Sequence, residues 1–124
     1  MIPPPLSAGE PAFDAEDLLV RVDGDRALLV ELVGLLRGES PRLLSDLRRS
    51  LAANDGRGLQ RAAHALRGSV GNFAARPAAR LALELEAMAR EGELAGGAAR
   101  LAELEREVGR LERDLARLCE EPAG

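Results

Sequence analysis

The sequence predicts an all-α fold: an antiparallel up-down-up-down four-helix bundle with a short N-terminal extra helix. Three observations lead there. Apolar residues recur at steps of three and four, and no segment alternates as a strand would. The apolar residues are mostly Leu, Ala and Val, with only two aromatics, Phe13 and Phe73, and Leu and Ala favour helix. Short turn stretches divide the pattern, and short connections make neighbouring helices antiparallel. At 124 residues and 46% hydrophobic content, the chain suits one domain around one aliphatic core.

Residues 1–12 are rich in Pro and small residues and read as a flexible N-terminal segment. The bundle is expected over 13–119, with a tail at 120–124. A short helix follows Phe13, with Asp14 as N-cap and Asp17 answering part of a capping box. Asp17 and Glu16 also suit the helix dipole. Val22-Asp23-Gly24-Asp25 ends this helix, and Asp25 caps a long one over 25–53. Leu28, Leu29, Leu32, Val33, Leu35 and Leu36 supply its apolar face, resumed after Ser40-Pro41 by Leu43, Leu44, Leu47 and Leu51. Pro41 predicts a kink or short break.

Asn54-Asp55-Gly56-Arg57-Gly58 is a turn, and Asp55 caps a helix over about 56–74. Leu59, Ala63, Leu66, Val70 and Phe73 form its core stripe. Pro77 suits the first turn of the next helix, whose stripe is Leu81, Leu85 and Met88 and which ends at Glu91-Gly92-Glu93. The last helix begins at Gly96 or Gly97. There Leu101, Leu104, Val108, Leu111, Leu115 and Leu118 face inward, Arg and Glu fill the solvated side, and Cys119 ends the stripe.

The formal charge of −4 argues against nucleic acid as a partner. All positive side chains are arginine and none is lysine, which suggests a GC-rich bacterial coding sequence. Cys119 is the single cysteine and forms no intramolecular disulfide, as suits a reducing cytosol. No 18-residue apolar run spans a membrane, and the N-terminus lacks signal-peptide features. The expectation is a cytoplasmic protein without a membrane partner.

The chain has one histidine, His64, set at about 140° from the centre of the core stripe on its helix. Gln60, Arg67 and Gly71 lie within about 60° of it, and Arg57 and Gly68 within about 40°. Metal binding needs partner ligands, and no second His or nearby carboxylate on this helix supplies them, so no metal site is expected. Ser-His-Asp chemistry fails because Ser69 points elsewhere and no acid is positioned, by sequence, to orient the imidazole. Acid–base catalysis wants a cleft, which a convex helix does not offer. Nucleophilic attack by the imidazole on a phosphoryl group remains. Arg67, one turn on, can reach phosphoryl oxygens, and Gly68 removes the side chain that would block a partner. Gly68 and Gly71 each cost roughly 1 kcal/mol of helix stability against alanine, on the face that carries His64.

Ala63-His64-Ala65-Leu66-Arg67-Gly68-Ser69, followed by Asn72-Phe73-Ala74-Ala75, resembles the signature of histidine-containing phosphotransfer (Hpt) domains. The family pattern is Ala-His-x-Leu-Lys-Gly-Ser and then a Gly-Ala pair. The resemblance extends over about 13–118, including Asp23-Gly24-Asp25, Ser40-Pro41 and Leu85-Glu86-Ala87-Met88-Ala89-Arg90-Glu91-Gly92. It implies a four-helix bundle with a surface phosphohistidine that moves phosphoryl groups between receiver-domain aspartates in a multistep phosphorelay. His64 then matches the phosphoacceptor, Arg67 the phosphoryl-facing lysine, and Gly68 the small residue beneath the partner. Arg57, Gln60, Arg61 and Gly71 are candidate partner-binding residues.

The implied partners are response-regulator receivers and a hybrid sensor histidine kinase. The implied cofactor set is none on this chain, with Mg²⁺ on the receiver and no ATP site: a phosphocarrier rather than a turnover enzyme. Two departures stand out, Arg67 for lysine and Ala74 for glycine, and alanine suits that position only if the backbone stays helical there. Two other readings share the residues. One is the phosphotransfer domain of a chemotaxis-type histidine kinase. The other is a non-transferring helical module that binds receivers or other partners, which an exposed apolar strip on 98–118 would favour.

Overall fold

The computed structural model describes residues 9–120. Five helices follow in order: α1 Ala15–Arg21, α2 Arg26–Ala52, α3 Gly56–Gly71, α4 Arg76–Glu91 and α5 Gly97–Glu120. α2 packs on α3, α3 on α4, α4 on α5, and α5 closes the ring on α2. This is the predicted antiparallel bundle, with α1 as the extra helix.

Local chemistry sets the starts of three helices. Asp14, Asp25 and Asp55 each accept a hydrogen bond from the backbone N–H three residues on, at 3.1, 3.0 and 3.0 Å. Each such cap contributes about 1 kcal/mol. α4 has no side-chain cap and carries Pro77 in its first turn. Gly92, at φ 74°, ends it in the left-handed conformation that glycine adopts without strain.

α2 runs unbroken through Pro41. Its buried residues Leu29, Val33, Leu36, Ser40, Leu43, Leu47 and Ser50 keep one spacing of four and three across the proline. Packing on both sides of Pro41 therefore holds the helix against the loss of roughly 3 kcal/mol that an interior proline brings. The apolar face is narrower than predicted: Leu28 and Leu35 are exposed, because the bundle covers only the stripe through Leu29, Val33 and Leu36.

α4 also presents a different stripe. Its buried residues are Pro77, Ala78, Ala82, Leu85, Glu86 and Ala89, while Leu81 and Met88 pack at the margin. Small alanines here and at Ala62 and Ala63 on α3 let the two helices approach closely. That rotation carries Glu86 into the α3–α4 seam. α5 turns Leu101, Leu104, Val108, Leu111 and Leu115 inward as predicted, and no large apolar side chain of α5 is exposed among the described residues. The exposed strip that would favour a purely interacting module is missing from this helix.

α1 clips onto the α3–α4 turn. The Asp14 N–H donates to the Ala74 carbonyl at 3.0 Å, and Arg21 Nη1 donates to the Gly71 carbonyl at 3.3 Å. Ala74 itself has φ +55°, so the helical backbone that alanine wants is not what this turn supplies. The left-handed conformation costs a residue with a Cβ about 1–2 kcal/mol.

Residues 9–12, read from sequence as part of a flexible lead-in, lie against the bundle. Ala12 is buried, Glu10 pairs with Arg80, and the Glu10 carbonyl accepts from Arg110 Nη1 at 2.7 Å. The rest of that segment, 1–8, and residues 121–124 of the tail lie outside the described residues. No helix among the described residues is long and apolar enough to cross a membrane.

Candidate functional site

The inner face of α3 fixes its outer face. Leu59, Ala63, Leu66 and Val70 are fully buried, so rotation of the helix is locked and the opposite side is held toward solvent. His64 stands there with its side chain 67% exposed. Arg57, Arg61 and Gly68 are exposed on this side, and Gln60, Arg67 and Gly71 half-buried. A Cβ added at Gly68 or Gly71 would meet nothing within 4 Å. Neither glycine is there to let two parts of the fold pack closely. Gly97 differs, since a Cβ there would come within 2.7 Å of Leu51 Cδ2.

Of the sequence-predicted residues, the structure brings Arg67 to His64. Arg67 Nη2 lies 3.1 Å from His64 Nδ1. Arg57, Gln60, Arg61, Gly68 and Gly71 share the helix side without bonding to the ring. Arg61 also lines an open groove between α2 and α3, opposite Asp46 and Arg49.

The residue that sequence reasoning missed is Glu86. From α4 its Oε1 lies 3.2 Å from His64 Nδ1, and its Oε2 accepts from Arg67 Nε at 2.9 Å. Arg90 Nη2 stands 3.8 Å from the same carboxylate. The Glu86 side chain is only 8% exposed. Burial pushes its carboxyl up, but hydrogen bonds from Arg67 and His64 outweigh this and hold it below the usual glutamate range. It is a carboxylate at neutral pH. An acid is therefore placed to orient the imidazole after all, from a neighbouring helix rather than from α3. The sequence signal was an acidic residue four steps after Ala78 and Ala82 in turn, on a stripe of small residues hidden by the larger Leu81 and Met88.

With Nδ1 turned toward Glu86, His64 has one ring nitrogen, Nε2, without a protein partner among the described residues. It sits on an exposed ring beside a guanidinium and bare glycine backbone. A model of the Hpt domain matches residues 31–120. The chain belongs to the Hpt family. Its structure is similar to the crystal structure of histidine-containing phosphotransfer protein B from Pseudomonas aeruginosa PAO1, with a TM-score of 0.85 and 25% identity. That match covers 93% of this chain and 100% of the other. No curated protein matches the chain.

Hpt domains exchange phosphoryl groups with receiver domains and kinases. In this Hpt domain Arg67 reaches two partners through separate nitrogens. Its planar fork spans two partners at once, Nε to Glu86 and Nη2 to His64.

Proposed function

We propose that this Hpt domain accepts a phosphoryl group on Nε2 of His64 from a receiver-domain aspartate and passes it to another receiver in a multistep phosphorelay. The observation that carries this reading is the Glu86–His64 contact at 3.2 Å, which occupies Nδ1 and leaves the exposed Nε2 to react. In the step, the Nε2 lone pair forms the N–P bond as the P–O bond of the aspartyl phosphate breaks. The bonding electrons leave with the aspartate carboxylate. The ring gains positive charge, which the Glu86 carboxylate offsets through the Nδ1 proton. Arg67 stabilises the charge spread over the phosphoryl oxygens. Gly68 and Gly71 leave room for the receiver, and Arg57, Gln60 and Arg61 contact its surface.

The chain acts as a phosphocarrier in the cytoplasm. A hybrid sensor histidine kinase is the upstream source, and the receiver carries the Mg²⁺. The test is incubation with phosphorylated receivers from the same genome. Wild type should take up acid-labile, base-stable label, and His64→Gln should fold and take up none. Label on the folded His64→Gln variant would refute the assignment.

A further inference from the structure

Two neighbours compete for one ring nitrogen. Nδ1 of His64 lies 3.2 Å from Glu86 Oε1 and 3.1 Å from Arg67 Nη2. A neutral imidazole nitrogen either carries a proton and donates or holds a lone pair and accepts. A carboxylate only accepts, and a guanidinium only donates. The two contacts therefore demand opposite tautomers. With the proton on Nδ1, Glu86 is satisfied and Nε2 keeps its lone pair. With the proton on Nε2, Arg67 donates to Nδ1 and the exposed nitrogen cannot attack.

We infer that Arg67 is a positioning residue that, before the phosphoryl group arrives, draws His64 toward the tautomer protonated on Nε2 and so holds the nucleophile in check. The inference rests on His64 being the phosphoacceptor. Arg67 is placed for this because its Nε is fixed on Glu86 Oε2 at 2.9 Å, which aims the rest of the fork at the ring. A lysine has no such fork: its three donors share one nitrogen at the end of a flexible chain, so a bond to the carboxylate does not aim a separate nitrogen at Nδ1.

Release follows from the same chemistry. Incoming phosphoryl oxygens carry charge and offer the guanidinium a two-pronged partner, which is stronger than one neutral ring nitrogen. As Arg67 turns to them, Nδ1 is free to pair with Glu86. One proton leaves Nε2 for solvent and one from solvent joins Nδ1, since the ring is 67% exposed. The arriving group thereby switches on the nitrogen that attacks it.

His64 is the only histidine, so ¹⁵N-labelled histidine reports this ring alone. The experiment is long-range ¹H–¹⁵N NMR on the full chain, at an alkaline pH where imidazole is neutral. Wild type should show a measurable Nε2–H population. Arg67→Ala should shift the ratio toward Nδ1–H by about three- to tenfold, the effect of one hydrogen bond, and Arg67→Lys should shift it the same way by less, because its donors are no longer aimed by the fork. Glu86→Ala should shift it the opposite way. Backbone amide spectra establish that each variant is folded, and Arg67→Lys keeps the charge if Arg67→Ala does not fold. The same ratio in wild type and in the folded Arg67 variants overturns the inference. Labelling of His64 by receivers with an unmoved ratio sinks this inference alone, whereas a moved ratio without labelling sinks the transfer reading and, with it, the role of Arg67 as a check on a nucleophile, leaving only the tautomer bias.

Discussion

Glu86 and Glu107 are both 6% exposed and both face an arginine, yet they occupy different kinds of seam. Glu107 is paired within its own helix. Its Oε2 accepts from Arg110 Nε at 3.1 Å and Nη2 at 2.9 Å, and the same guanidinium reaches back to the Glu10 carbonyl. That pair is closed: each partner's task is to satisfy the other and to pin residues near the N-terminus. Glu86 is paired across helices, to His64 and Arg67 on α3, and one of those partners is an exposed ring with a free nitrogen. Burial and an ion pair are common to both, so neither marks a site. The difference lies in whether the pair ends on a reactive group that another molecule can reach.

Removing each carboxylate should separate the two roles. The largest effect is expected for Glu86→Ala, which loses the orientation of His64 and should slow phosphoryl acceptance by about 100-fold, within the usual range for a positioned proton-handling group. Single-turnover transfer from a phosphorylated receiver measures it, and a rate within about twofold of wild type would remove Glu86 from the mechanism. Glu107→Ala should instead lower stability by about 1–3 kcal/mol, as an arginine loses its partner, and leave the transfer rate unchanged. Urea unfolding reads the first and the same transfer assay the second.

Two exchanges between glycine and alanine sharpen the contrast further. Gly68→Ala adds a Cβ that meets nothing in the protein and favours helix, so it should stabilise the chain by about 0.5–1 kcal/mol while slowing transfer from the receiver. Ala74→Gly relieves a residue at φ +55° and should stabilise by about 1 kcal/mol with transfer unaffected. A destabilised Gly68→Ala variant would mean the glycine serves the fold rather than the partner.

The smallest effect concerns pH. The folded-state pKa of Glu86 lies below its ordinary value of 4.5, so its bonds to Arg67 and His64 contribute stability that is complete above that value. The contribution is lost as pH falls through the lower folded value. Glu86→Gln should therefore flatten the acid limb of the stability profile below 4.5 and leave its shape at neutral pH alone. An acid limb identical to wild type would contradict the pairing.

Most of the fold was legible because it rests on short-range chemistry. Asp14, Asp25 and Asp55 cap helices in the positions their spacing predicts, and the inward stripes of α3 and α5 follow the helical repeat. Where the reading slipped, a neighbouring helix decided. Leu28 and Leu35 look like core residues by type, but nothing packs over them. Leu81 and Met88 outrank Ala82 and Ala89 in size, yet close approach to α3 selects the alanines.

The site divides in the same way. By itself the sequence determined which residue stands exposed on α3, because the helical repeat places His64 opposite Leu66 and Val70 whatever else the chain does. It also determined that Arg67 lies one turn from His64 and that Gly68 leaves the helix surface beside the ring without a side chain. Only the tertiary structure decided that a carboxylate 22 positions away on α4 meets Nδ1, that Arg67 contests the same nitrogen, and that Ala74 takes a left-handed turn. The reason is physical: spacing along one helix is set by the backbone repeat, whereas contacts between helices depend on how closely their small residues let them approach.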